Sequence, residues 1–174
     1  MGQAVTSEHR AEFTAEPRAV SRLSFTPLSA ALIAGAAALC LLADLPVWVA
    51  LAGWASYYTR GTTLRDGAYN LACAVTGLGL GIVAQAAAAK WSPELGIWAL
   101  PAALFLAAIS IQMLKFITGV NNIPSYFIGV LVVFAAGMET SLDTYLTLTA
   151  AVSVGAFAAA LPDIIRQRRE PEVE

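Results

Sequence analysis

The side chains that could do chemistry in this sequence are few, and those inside its apolar stretches are neutral amides and phenols. Asn70 and Gln112 lie within long apolar runs, where a carboxamide needs a hydrogen-bond partner or water. Asn121 and Asn122 precede a short apolar segment. Because amides both donate and accept hydrogen bonds, these four residues are candidates to line the path of a small polar solute. Aromatic candidates for the same path lie on two short segments: Tyr57, Tyr58, Tyr126 and Phe127.

Each of these residues also has a structural interpretation, which the sequence leaves open. Asn121 and Asn122 are placed to cap the helix that follows them. Spacings of three or four residues put one small and polar stripe on a single helix face: Asn70, Cys73, Gly77, Gly81 and Gln85. The two glycines of this stripe allow close helix approach, so they predict a packing seam, as does Gly155 in the last apolar segment.

Enzymatic chemistry has little support in the sequence. The single histidine, His9, lies in the polar N-terminal stretch, and we find no nucleophile motif, phosphate loop or carboxylate pair inside an apolar run. Cys40 and Cys73 are isolated in apolar segments, which argues against a metal site or a disulfide. We therefore expect no enzyme, no cofactor and no metal. Nucleic acid is not expected as a partner, because no basic patch is interleaved with aromatic residues.

The elements that must position these residues are six apolar stretches. Hydrophobic residues make up 58% of the chain and charged residues 13%, whereas soluble domains carry roughly 25% charged residues. The stretches begin near Pro27, Pro46, Ala68, Leu95, Ile123 and Leu142. Four of them run for about 17–22 residues, enough to cross a hydrocarbon core, while 46–58 and 123–138 are shorter. The prediction is an all-α membrane protein with six transmembrane segments, of which the second and fifth are short.

The distribution of charge predicts the orientation of these segments. Nine of the ten Lys and Arg residues fall in the two tails, in the connector after the second segment and at the end of the fourth. With six spans, the positive-inside rule then puts both termini in the cytoplasm. We expect a mobile cytoplasmic tail over 1–25, a membrane domain over 26–163 and a second cytoplasmic tail over 164–174. The alanine-rich composition is typical of bacteria, so the expected location is the inner membrane.

The two halves of the chain resemble each other. Asp44-Leu45-Pro46 and Asn122-Ile123-Pro124 both precede a short helix that carries aromatic residues. Because each half has three spans, two such halves must have opposite orientations, which defines an inverted repeat. Paired short segments at matching places often mark a binding site near the bilayer centre. The alternative is that both short helices simply lie in thin or deformed membrane.

Two sequence runs resemble the YcdZ-like family of bacterial inner-membrane proteins. The first is Trp54-Ala55-Ser56-Tyr57-Tyr58, followed by Gly61 and a glycine-rich helix, and the second is Ile123-Pro124-Ser125-Tyr126-Phe127-Ile128-Gly129. The resemblance covers roughly residues 30–160, although Ser125 stands where the family commonly has glycine. It implies six membrane helices and assigns no substrate, because the family is catalogued as a domain of unknown function.

Together these features favour a channel or facilitative transporter for a small, neutral polar solute. The absence of Asp or Glu in mid-span argues against a proton-coupled pump. The alternative is a membrane scaffold or partner subunit that transports nothing. The expected partners are the lipid bilayer, a small solute and, in an oligomer, further copies of the chain.

Overall fold

The computed structural model describes residues 17–61, 63–114, 116 and 121–169, and it describes side chains only between residues 27 and 165 of those ranges. In this part of the chain the structure is all-helical, with six α-helices and no strand. The helices are α1 (Pro17–Leu42), α2 (Val47–Tyr57), α3 (Leu64–Leu95), α4 (Ala99–Leu114), α5 (Ile123–Ala136) and α6 (Leu142–Arg169). A 3-10 turn, Gly96–Trp98, joins α3 to α4.

Local signals in the sequence explain where several helices begin and end. Thr63 caps α3, because its Oγ1 accepts a hydrogen bond from the amide of Asp66 at 3.1 Å. α5 begins with Ile123-Pro124, which places proline in the first turn, where its missing N–H costs nothing. The same helix ends at Gly137, whose φ of 59° is left-handed and suits glycine.

The core consists of α2, α3, α5 and α6, with α1 and α4 on the outside. The most extensive contacts are those of α3 with α5 and of α2 with α6, so each short helix packs on the long helix of the other half of the chain. α1 packs mainly on α6, and α4 mainly on α3. A fully buried aliphatic cluster joins the four core helices: Val49, Leu78, Val132, Val133, Leu148 and Val152.

Glycines bring the backbones of these core helix pairs into direct contact. Between α2 and α6, a Cβ added at Gly155 would overlap the carbonyl of Ala50. Between α3 and α5, a Cβ added at Gly77 would overlap the carbonyl of Tyr126, and one at Gly81 would lie 3.0 Å from Val133 Cβ. The three glycines that the sequence marks for packing therefore lie at helix contacts.

Several predicted boundaries are wrong. α1 begins at Pro17 and contains Pro27, so it starts ten residues before the expected first residue of the first apolar stretch. α3 continues to Leu95, so residues 91–94, which separate the third and fourth apolar stretches of the sequence, are helical. A proline removes one hydrogen bond from a helix without forbidding it, and only Glu94 and Leu95 follow Pro93 before α3 ends. The predicted end of the fourth segment, 115–118, lies outside the described residues apart from 116, and so do residues 1–16.

Two helical stretches are long and apolar enough to cross a membrane by length and composition, Leu64–Leu114 and Leu142–Ile165. The former runs through α3, the 3-10 turn and α4. The other apolar helices are shorter: Pro27–Leu42, Val47–Tyr57 and Ile123–Ala136. At 1.5 Å per residue, α2 rises only about 16 Å and α5 about 21 Å. The expectation that the second and fifth helices are short is confirmed.

The glycine contacts lead to a stability prediction. Gly155→Ala should lower the stability of the protein by about 1–3 kcal/mol, because the added methyl must push α6 away from the α2 backbone. Gly35→Ala is the matched control, since no atom lies within 4 Å of its added Cβ. That control should raise stability by about 0.5–1 kcal/mol through helix propensity. Thermal unfolding in detergent micelles measures both, and equal midpoints for the two variants would contradict the close contact.

Candidate functional site: a buried network of amides and hydroxyls

Five neutral polar side chains meet where the end of α2, the start of α3 and the start of α5 come together. We call this group the amide–hydroxyl network, and it consists of Ser56, Thr59, Asn70, Asn122 and Ser125. The side chains of Ser56, Asn70 and Ser125 are fully buried, and Asn122 is 5% exposed. Such burial is tolerated only because the side chains hydrogen-bond one another.

The orientation of Asn70 is fixed by the backbone. Its Nδ2 donates to the carbonyl oxygen of Tyr57 at 2.8 Å, and a carbonyl can only accept. The Oδ1 atom of Asn70 must therefore point the other way, where it accepts a hydrogen bond from Asn122 Nδ2 at 2.6 Å. This bond in turn fixes which end of the Asn122 amide faces the network.

The amide nitrogen of Asn122 lies within hydrogen-bond distance of three oxygen atoms. Besides Asn70 Oδ1, it approaches Thr59 Oγ1 at 2.6 Å and Ser125 Oγ at 3.0 Å. An NH2 group has only two hydrogens, so the two shorter contacts take them and the third is shared. Three acceptor atoms thus converge on one nitrogen.

The directions of the hydroxyl bonds follow from the same reasoning. Thr59 Oγ1 donates to the carbonyl of Ser56 at 2.7 Å, which uses its single hydrogen. Its 2.8 Å contact with Ser125 Oγ must therefore be donated by Ser125. Ser56 Oγ lies 3.0 Å from Ser125 Oγ, so the two short helices touch directly at this level. In the described part of the chain, the one buried side-chain oxygen or nitrogen without a partner is Thr149 Oγ1, which is outside the network.

Charged groups lie beside the network and not within it. Arg60, which follows Thr59, donates from Nη1 to Asn121 Oδ1 at 3.0 Å and lies 3.7 Å from the Asp66 carboxylate. The connector after α2 and the connector before α5 are therefore joined twice, by a part-buried bond between Thr59 and Asn122 and by an exposed bond between Arg60 and Asn121. Among the described residues, no group of three or more His, Cys, Asp or Glu side chains could hold a metal ion.

The predicted site residues do not all come together. Asn70 and Asn122 belong to the network, and Asn121 contacts it only through its neighbour. Tyr57 is buried, but its hydroxyl donates to Asp163 on α6 at 3.0 Å. Tyr126 is buried in a separate cluster with Cys73 and Ile111.

Three other predicted residues point away from the network. Tyr58 and Phe127 are 43% and 42% exposed. Gln112 is exposed as well and takes no part in the network. The buried face of α4 repeats every four residues through Ala99, Ala103, Ala107 and Ile111, and Gln112 is one residue, or 100°, beyond it.

The capping role expected of Asn122 also needs correction. Asn122 is the N-cap residue of α5, yet its side chain makes no capping hydrogen bond to a backbone amide of that helix. Its carbonyl accepts from the amide of Tyr126 at 3.4 Å, while its carboxamide reaches across to α3 and to the connector after α2. The tertiary partners have therefore replaced the local ones.

Sequence reasoning missed Ser56, Thr59 and Ser125 as site residues. The hydroxyls of serine and threonine in helices often bond to the carbonyl four residues earlier, as Thr76 and Ser110 do here, so these residues are not conspicuous in the sequence. One signal was available, because both short helices contain a Ser-Tyr pair, Ser56-Tyr57 and Ser125-Tyr126. The pair lies at the end of one short helix and at the start of the other.

The helices and the network define an all-α protein with extensive exposed apolar surface and a small, neutral polar core. Residues 26–165 match the model of the DUF1097 family, described as a protein of unknown function, and the chain belongs to this family. No match was found among curated proteins or among solved structures. The family match covers nearly the same part of the chain as the resemblance noted from the sequence and assigns no activity.

The network leads to a prediction about Asn70. Asn70→Leu should destabilise the protein by about 2 kcal/mol or more, because the Tyr57 carbonyl and the Asn122 amide each lose a partner at about 1–3 kcal/mol per buried group. Gln112→Leu on the exposed face of α4 should stay within about 0.5 kcal/mol of the wild type. Chemical unfolding in micelles compares the two, and similar effects would show that the network is not a stabilising core.

Proposed function

We propose that the protein is a multi-pass channel or facilitative transporter of the bacterial inner membrane, and that it carries a small, neutral polar solute. The observation that carries this proposal is the amide–hydroxyl network, which puts five uncharged hydrogen-bonding side chains between the two short helices. Burying polar groups costs free energy, so a core of this size with only a structural role would be at least as stable if it consisted of aliphatic residues.

A membrane setting is supported by the exterior of the fold. Large apolar side chains are exposed on several helices and their ends, including Leu42, Ile97, Leu142 and Phe157. A soluble monomer rarely exposes contiguous apolar surface on this scale. Helix lengths support the same setting, because two helical stretches are long enough to cross a bilayer.

The orientation follows from charge. Arg60 and Arg65 lie at the end of the molecule that holds the network, whereas Glu139 lies in the connector between α5 and α6, and Asp143 in the first turn of α6. By the positive-inside rule, the network end faces the cytoplasm and both termini are cytoplasmic. The two halves then enter the membrane from opposite sides, as an inverted repeat requires.

Neutral solutes fit the network better than ions do. Its side chains offer carbonyl, amide and hydroxyl groups, with no carboxylate to balance a cation. The nearest cation, Arg60, is paired with Asp66. No residue of the network is suited to acid–base or nucleophilic catalysis, so the proposed role is passage without chemical change.

The conformation of the structure is closed at the network. The 3.0 Å contact between Ser56 and Ser125 leaves no room for a solute, so passage requires α2 and α5 to separate at this end. Inverted-repeat transporters move in this way, by rocking one group of helices against the other.

A non-transporting membrane scaffold is the second candidate. It is favoured by the closed network, whose side chains satisfy one another, and by an apolar groove of about 400 Å³ between α3 and α6. In this proposal the apolar surfaces hold other copies of the chain or a partner subunit. The two candidates differ in whether solute flux depends on the network.

The orientation can be tested by labelling with a membrane-impermeant maleimide in intact cells. A Thr140→Cys variant should react from outside, because residue 140 lies in the exposed connector between α5 and α6. An Arg65→Cys variant should react only after the membrane is permeabilised. The two native cysteines are fully buried, which keeps the background low. Labelling of both variants from the same side would contradict the proposed orientation.

Transport can be tested with purified protein in liposomes by stopped-flow light scattering. We expect faster entry of at least one solute from a panel of urea, ammonia, formamide and glycerol than in empty liposomes. Thr59→Val should reduce that entry several-fold, because it keeps the shape of the side chain and removes the hydroxyl from the network. Thr76→Val is the matched control, since Thr76 is exposed and bonds only within its own helix. If folded protein accelerates none of these solutes, the transport proposal fails and the scaffold remains.

A further inference from the structure

The three oxygen atoms around the Asn122 nitrogen form a site of defined chemistry. Thr59 Oγ1, Asn70 Oδ1 and Ser125 Oγ all lie within 3.0 Å of that nitrogen. We propose that these atoms are a binding site for the NH2 group of a small primary amide or urea, and that the Asn122 carboxamide occupies this site in the closed state. The inference deepens the proposed function and rests on it for the passage of the solute.

The hydrogen-bond directions leave the site with acceptor atoms only, so it binds groups that donate hydrogen bonds. Asn70 Oδ1 must face the site, because Asn70 Nδ2 is held by the Tyr57 carbonyl. Thr59 Oγ1 must accept there, because its hydrogen is bound to the Ser56 carbonyl. A ligand group must therefore supply two hydrogens from one small atom, as an NH2 group does and a carbonyl or a methylated nitrogen does not.

The position of Asn122 explains why its side chain is the group that leaves the site when a ligand binds. Asn70 and Thr59 are held by bonds to backbone carbonyls and Ser125 lies within α5, whereas Asn122 precedes α5 and its side chain makes no bond to the backbone amides of that helix. Its backbone makes one long hydrogen bond, at 3.4 Å, to the first turn. Next to it, Asn121 accepts an exposed hydrogen bond from Arg60 of the opposite connector.

The neutrality of the site sets its selectivity. An ammonium ion would gain no opposite charge from carbonyl and hydroxyl oxygens, while a primary amide exchanges its hydrogen bonds with water for equivalent ones. A solute that reproduces the Asn122 carboxamide is matched in size as well. The group that Asn122→Ala removes has the composition of formamide, so formamide is the natural probe.

The test is chemical rescue of the Asn122→Ala variant. Removal of the carboxamide leaves Asn70 Oδ1 without its donor, so the variant should unfold at a lower temperature than the wild type. Formamide should raise the unfolding midpoint of the variant relative to the wild type, and the rise should saturate with concentration. N,N-dimethylformamide, which has no N–H, should give no such rise. Gln112→Ala, which removes an exposed amide from α4, is the control and should show no rescue.

Each outcome of this test is decisive. Equal effects of formamide and its dimethyl derivative, or equal effects on the variant and the control, overturn the site. If Asn122→Ala does not fold, Asn122→Ser keeps a small polar group and serves in the same assay with the same expectations. Rescue without solute flux in liposomes would support the binding site and contradict the transport role. Solute flux without rescue would support the transport role and contradict the binding site.

Discussion

The hydrogen bond from Asn70 to the Tyr57 carbonyl is the interaction on which the polar core depends. It joins the end of the first short helix to the start of the long helix α3, two segments separated by the exposed connector. Because the backbone acceptor cannot change its role, this bond decides the orientation of Asn70 and then that of Asn122. The Ser56 carbonyl in the same way fixes the hydroxyl of Thr59, and through it the bond that Ser125 donates. Two backbone carbonyls thus set the arrangement of the network.

That arrangement needs helices held at fixed distances, and the glycine contacts provide this. Gly129 on α5 lies against the α3 backbone at Ala74, one turn beyond Asn70, and Gly53 on α2 lies against Val152 on α6. Close backbone contacts of this kind leave little room for sliding, since any shift brings carbonyls together. The polar side chains can therefore meet at hydrogen-bond distance with no bulky residue between them.

The sequence predicted the helical class, the two short helices and two of the five network residues, and physical reasons explain the remainder. Asn70 was found because an amide in an apolar run is conspicuous, whereas Ser56 and Ser125 are ordinary in helices and become significant only through their neighbours. Gln112, the other amide in an apolar run, does not reach the network because it is one residue of helix rotation beyond the buried face of α4. The start of α1 and the end of α3 were misjudged because proline was taken as a boundary in helices long enough to tolerate it. The role of Asn122 depended on tertiary partners that local capping rules do not include.

The aliphatic cluster at the other end of the short helices has a consequence for permeation. Val49, Val133 and Leu148 fill the space between the core helices there, and the cluster holds no polar side chain that could replace the water around a solute. Moving an amide into such surroundings without hydrogen bonds costs roughly 2–7 kcal/mol. A barrier of that height would slow crossing by roughly 30-fold to 10⁵-fold. In a transporter built on this fold, the rate of crossing would then be set by how far these branched side chains separate and admit water, while the amides would determine which solute is bound.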